Sequence, residues 1–186
     1  MLAHNKFNQK WIDMSKAKSQ FVGATGQYYV AYELSSRDII ANITIGNAPG
    51  VDILATDHSG LKSVSIQVKT SRNAWRNNRW GNAGCEWDVS ASVIGRQSPN
   101  FWYAFVDLQD SDGIYNPRTF IVPSKWVSEF VLPGWSRNLF FLPSDALNLT
   151  LNKWEFIKGV LESDESVLEF SNQWAKELVR WGVENE

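Results

Sequence analysis

Cysteine is almost missing from this chain: Cys85 is the only one in 186 residues. One thiol cannot close an intramolecular disulfide or supply a thiolate zinc cluster, so the sequence reads as that of a reducing, cytoplasmic compartment. Histidine is nearly as scarce. His4 lies in a polar N-terminus and His58 in a turn, and neither stands in a metal-ligand spacing such as H-E-x-x-H. No G-x-S-x-G, P-loop or G-x-G-x-x-G occurs, which removes the signatures of common nucleophile and nucleotide chemistries. No apolar run has the length of a membrane span, and residues 1–10 lack the apolar core of a signal peptide. Without such a signal, the Asn-x-Thr sequons at Asn42 and Asn148 carry no expectation of glycosylation.

What is present is ordinary in amount and uneven in placement. Hydrophobic residues make up 44% and charged residues 20%, values typical of a globular chain long enough to bury one sizeable core. Ten tryptophans are unusual. The net charge of −2 argues against a strong sequence-independent DNA binder. Yet no acid falls between Asp57 and Glu86, where Lys62, Lys69, Arg72, Arg76 and Arg79 do, while acids crowd residues 155–186. One basic face and one acidic end is the fitting description, and local charge decides phosphate binding more than the total does.

The pattern predicts a helix over 20–36, with Val30, Ala31 and Leu34 sharing a side with Gln27. Strands follow at 38–45, 51–56 and 62–70, the last two joined by a turn at 57–60. Residues 71–84 read as an Asn-, Arg- and Trp-rich loop, followed by a short strand at 87–90. FWYAFVDL (101–108) is apolar on both faces, as a covered strand should be, and a further strand at 119–122 ends at Pro123. Ser124 is placed to cap a short helix holding Trp126, Val127 and Phe130. Residues 131–153 give no clear periodicity, and Val167, Phe170, Trp174, Leu178 and Trp181 predict a final amphipathic helix. The expectation is a mixed α/β domain with a central sheet.

The informative stretch is residues 50–71, GVDILATDHSGLKSVSIQVKTS. Alternation along a strand sends Ile66 and Val68 to the core and Gln67 and Lys69 to the opposite face, where the neighbouring strand can set Asp52 beside them. A carboxylate with an amide oxygen is a hard-oxygen pair suited to Mg²⁺, and a lysine beside it can hold or deprotonate water and offset phosphate charge. That set supports metal-assisted phosphodiester hydrolysis.

Gly50-Val51-Asp52-Ile53-Leu54 followed by Ile66-Gln67-Val68-Lys69-Thr70 resembles the PD-(D/E)XK nuclease superfamily, which includes restriction endonucleases and Holliday-junction resolvases. The resemblance implies a restriction endonuclease-like core over about 20–125, a mixed sheet flanked by helices, within a single nuclease-like domain whose C-terminal extension covers about 126–186. It also implies Mg²⁺ (or Mn²⁺)-dependent cleavage of DNA and, because a duplex offers two strands to cut, a homodimer. The motif aspartate falls on Asp52, the lysine on Lys69, and the middle, usually acidic position on Gln67. The first-helix pattern falls on Gly26-Gln27 to Val30-Ala31 and Leu34, with Gln27 where a glutamate is usual. Asp52, Gln67, Lys69 and Gln27 are thus the candidate catalytic residues, with Asp52 and Gln67 as metal ligands. Glu33 stands about 240° around the helix from Gln27 and is a poor substitute ligand; Glu86 and Asp88, expected on the next strand, are others. In Arg72, Trp75, Arg76 and Arg79 basic and aromatic residues interleave as a nucleic-acid contact would, although a polar loop whose indoles cover the core reads equally well.

Overall fold

The computed structural model describes residues 3–45, 50–79, 82–132 and 137–164, together with 167 and 169; for residues 3–17, 78, 79 and 82 it describes the backbone alone. In chain order these form α1 (Ala3–Ser35), β1 (Ile40–Ile43), β2 (Ile53–Thr56), β3 (Ser63–Ser71), β4 (Trp75–Arg79) and β5 (Asn82–Val89). Then come β6 (Phe101–Asp107), β7 (Arg118–Pro123), α2 (Ser124–Glu129), β8 (Val131–Leu132), β9 (Asn138–Pro143), α3 (Leu147–Thr150) and α4 (Glu155–Glu162). No helix among the described residues is long and apolar enough to cross a membrane.

Two sheets stack. The first has the order β1-β2-β3-β6-β7, antiparallel throughout except for the parallel pair β3–β6. The second, β4-β5-β9-β8, is antiparallel. Alternation along β3 and β6 divides the core between them. Val64, Ile66, Val68, Trp102, Ala104 and Val106 pack against Val30 and Leu34 of α1 and Phe156, Ile157 and Leu161 of α4. Phe101, Tyr103 and Phe105 point the other way, onto Trp87, Trp126 and Phe140. Phe105 stacks on Phe140 with ring centroids 4.6 Å apart. Burial on both faces explains why β6 is apolar from Phe101 to Val106.

The protein is therefore mixed α/β with a mixed central sheet. Its flanks differ from the expectation: α1 and α4 cover one face, while the second sheet and α2 cover the other. The stretch 71–84, expected as a loop, contains β4 and the start of β5. Backbone pairing of Trp75 with Cys85 and Arg76 with Gly84 makes the ladder there, without apolar alternation in β4. Ser124 does not cap α2. Pro123 occupies the cap position, and the Ser124 hydroxyl instead donates to Ser98 C=O (3.0 Å) and accepts from Ser98 N–H (3.0 Å), which ties down the approach to β6. Residues 131–153 resolve into β8, β9 and α3. Of the expected last helix, Val167 is buried against Gly159; Phe170, Trp174, Leu178 and Trp181 lie outside the described residues.

Candidate functional site

Asp52 enters the site through the β2–β3 ladder. Its N–H donates to Ile66 C=O (2.9 Å), which extends the pairing of Ile53 with Ile66 by one residue and sets Asp52 across from Gln67. Its two carboxylate oxygens are then held from different elements. Oδ2 accepts the Val68 N–H at 2.7 Å, and Oδ1 accepts Nε2 of Gln27 from α1 at 2.9 Å. Asp52 is thereby anchored to the backbone between Gln67 and Lys69. Gln27 serves as a donor that orients the carboxylate.

Gly26 makes this approach possible. A Cβ at position 26 would lie 1.9 Å from Thr70 Oγ1 and 2.9 Å from Thr70 Cβ, so α1 meets β3 at its own backbone. Gly26→Ala is expected to push the helix off the strand and destabilise the fold by about 1–3 kcal/mol, the usual range for overpacking. The same displacement should lower any activity that depends on Gln27 and Asp52 by about 10²-fold. Thermal melts and activity of Gly26→Ala beside Gly26→Ala/Thr70→Ala check this, because the second change removes the nearest atoms and should restore part of both.

Lys69 lies on the same strand face as Gln67. Burial pushes its ammonium below the ordinary lysine value of 10.5, while the carboxylates of Asp52 and Asp88 pull it partly back. The unfolded chain then binds more protons at this position, so the penalty is full below the depressed value and fades as pH rises to 10.5. Lys69→Met is accordingly expected to raise the melting temperature at pH 7 by a few degrees, with the gain shrinking towards pH 10.5; melts across that range check the sign.

Gln67 is 8% exposed, and its Oε1 is buried without a hydrogen-bond partner. A buried acceptor left unsatisfied is a costly arrangement that a cation would relieve. Together, the Asp52 carboxylate and the Gln67 oxygen are hard donors and fit Mg²⁺, which keeps several waters and accepts phosphate oxygens. Among the described residues no three His, Cys, Asp or Glu side chains converge on a metal position.

The other candidates distribute around this point. Glu33 is turned to Arg37 in an ion pair of 2.7 Å. Glu86 and Asp88 lie on a strand as expected, β5, which belongs to the second sheet. They face Lys69 across a cavity of about 210 Å³ that Thr70, Arg76 and Arg137 also line. Arg137 contacts Glu86 at 3.8 Å and Asp88 at 3.2 Å. Nothing in the sequence singles it out, because its neighbours there come from a distant strand.

Of the proposed nucleic-acid contacts whose side chains are described, Arg76 alone lines the Lys69 cavity, its guanidinium also donating to Asn73 C=O and Trp75 C=O. Arg72 is engaged by Asp110 at 2.5 Å. Trp75 is 40% exposed and lines a separate cleft of about 440 Å³ with Asp107, Asp110 and Arg118. Arg79 lies in β4, and its side chain is outside the described set. Cys85 is buried, and desolvation pushes its thiol up to about 11, so it is no nucleophile. No protein-family profile matches the chain, and a search of curated proteins returns no match.

Proposed function

We propose that the chain is a metal-dependent DNA endonuclease of PD-(D/E)XK type that hydrolyses phosphodiester bonds. The observation that carries this reading is Asp52 fixed between the Gln27 amide and the Val68 N–H, at the backbone between the orphaned Gln67 oxygen and Lys69. Bound Mg²⁺ or Mn²⁺ would supply Lewis acidity at a phosphoryl oxygen and lower the pKa of an attacking water. Asp52 would hold the ion with its charge and Gln67 would add a neutral oxygen, while Gln27 keeps the carboxylate aligned. Lys69, beside the Asp52 carboxylate, positions the attacking water and offsets phosphate charge. Arg76 and Arg137 offset phosphate charge at the mouth of the cavity.

A second reading has a specific observation behind it. With amides at both Gln27 and Gln67, Asp52 is the one carboxylate of the four candidates, which also suits a degenerate nuclease-fold module that binds nucleic acid or a protein partner. The experiment is nicking of supercoiled plasmid DNA with Mg²⁺ or Mn²⁺, compared between wild type, Asp52→Ala and Lys69→Ala. Loss in both variants with unchanged circular dichroism supports the nuclease; equal cleavage by all three removes it. DNA binding that weakens with salt, with no cleavage by wild type and no Asp52-dependent Mn²⁺ binding, supports the module.

A further inference from the structure

Strand β4 has a different chemistry on each face. Trp75 and Arg76 are consecutive, so their side chains leave it in opposite directions, Arg76 into the Lys69 cavity and Trp75 into the separate cleft of about 440 Å³. That volume suits a ligand the size of a nucleoside. Hydrogen bonds tie the walls of the cleft together. At the end of the β3–β6 ladder, Leu108 N–H donates to Ser71 C=O and Asp110 N–H to Arg72 C=O, both at 2.9 Å. Asn73 Nδ2 donates to Asp110 C=O (3.3 Å). Gln109 stands at φ +49°, a left-handed conformation that residues other than glycine seldom adopt. With its amide turned to suit both neighbours, it accepts from Arg118 Nε (3.1 Å) and donates to Asn116 C=O (2.8 Å). Trp75 Nε1 donates to Asn77 Oδ1 at 2.6 Å, which holds the half-exposed indole and leaves its carbon surface to the cleft.

We propose that this cleft takes an unstacked nucleobase from the DNA strand whose phosphate lies in the Lys69 cavity, with the ring on Trp75 and its edge at Asn73 and Ser111. Charge and chemistry select that occupant. The two carboxylates of the cleft are neutralised, Asp107 by Arg118 at 2.8 Å and Asp110 by Arg72 at 2.5 Å. A cation would have to displace an arginine, and a phosphate would meet both acids. Asn73 Oδ1 and the Ser111 hydroxyl have no partner among the described residues, and an apolar side chain of a protein partner would cover them and leave them unpaired. A nucleobase is planar, uncharged and carries hydrogen-bonding atoms on its edge. It satisfies the indole and the polar groups together.

Position fits as well. Ser71 lines the cavity and Asn73 lines the cleft, and two residues span at most about 7 Å. One nucleotide bridges that step, with its phosphate among Lys69, Arg76 and Arg137 and its base turned past β4. This proposal rests on the DNA substrate proposed above, and adds that the strand is held unstacked beside the point of attack.

Fluorescence anisotropy of the full chain tests it, with a labelled single-stranded DNA oligomer and with one of equal length made of abasic nucleotides, both in EDTA so that nothing is cut. Wild type is expected to bind the base-bearing strand about tenfold or more tighter than the abasic one. Trp75→Ala should remove most of that preference and leave binding of the abasic strand unchanged, while Trp75→Phe, which restores an aromatic face, keeps most of it. Asn73→Ala, at an exposed position, should lower the preference without touching the abasic strand. Arg76→Ala should instead weaken both strands alike and reduce the salt slope by about one. A wild type that binds the two strands equally, or a Trp75→Ala that loses both in equal measure, overturns the proposal. Plasmid nicking keeps the two readings apart: nicking without base preference removes this cleft and leaves the nuclease, and base preference without nicking does the reverse.

Discussion

Asp52→Ala is expected to lower Mg²⁺-dependent plasmid nicking by at least about 10³-fold, equivalent to about 4 kcal/mol of transition-state stabilisation. The size of the effect follows from the make-up of the site. Gln27 and Gln67 are neutral, so removing Asp52 removes the negative charge that these four residues bring to a divalent ion. It also frees the Gln27 amide and the Val68 N–H from the acceptor that now fixes both. Asp52→Asn separates the two losses. An amide oxygen can still accept the Val68 N–H, so the fold and the position of Lys69 should persist while nicking stays near that of Asp52→Ala. Nicking within about tenfold of wild type in the Asn variant would show that carboxylate charge is not what the chemistry uses.

Asp107→Ala should produce the largest loss of stability. Asp107 is 2% exposed at the end of β6. It accepts from Arg118 Nη2 at 2.8 Å and from the Ala74 N–H at 2.9 Å, so one carboxylate ties β7 and the entry to β4 to the central sheet. Truncation leaves a half-buried guanidinium without its anion and a buried N–H without an acceptor. Removing one partner of such a pair costs about 3–5 kcal/mol, or about 10 °C in melting temperature for a chain of this length. The double variant Asp107→Ala/Arg118→Leu should lose less than the single, because the stranded charge is gone. Urea unfolding of the three proteins decides, and equal losses in single and double variants would mean that the ion pair is not what Asp107 supports. Because the Ala74 contact leads directly into β4, the single variant should also disturb Arg76 at the Lys69 cavity.

These residues show where the sequence was informative. β3 and β6 were legible because each carries a pattern that one environment demands: alternation in Ile66-Gln67-Val68-Lys69 and continuous apolarity from Phe101 to Val106. The grouping of Asp52 with Gln67 and Lys69 followed from that alternation together with the pairing of 62–70 with the neighbouring strand at 51–56. β4 was not legible, since Trp75–Arg79 is held by backbone pairing to β5 and its polar side chains carry no periodic signal. α4 carries a signal in Phe156, Ile157, Val160 and Leu161, which share a helical face, but eight residues are too few for that periodicity to stand out beside the irregular stretch before them. Arg137 and Asp107 belong to contacts between elements distant in sequence, which periodicity cannot reveal. Ser124 had a plausible local use as a cap, and a tertiary contact with Ser98 replaced it.

The parallel pairing of β3 with β6 has a consequence for how the chain is made. Ser65 through Ser71 register against Phe101 through Asp107, with the whole β4–β5 hairpin emerging in between. During synthesis, β3 therefore waits with one edge open and Ile66 and Val68 beside it, a template for pairing with other nascent chains. Lys69 at the end of that strand is a charged gatekeeper during the interval. A chain released at Asn100 would keep that edge permanently, and fragments of this length should aggregate where the whole protein does not.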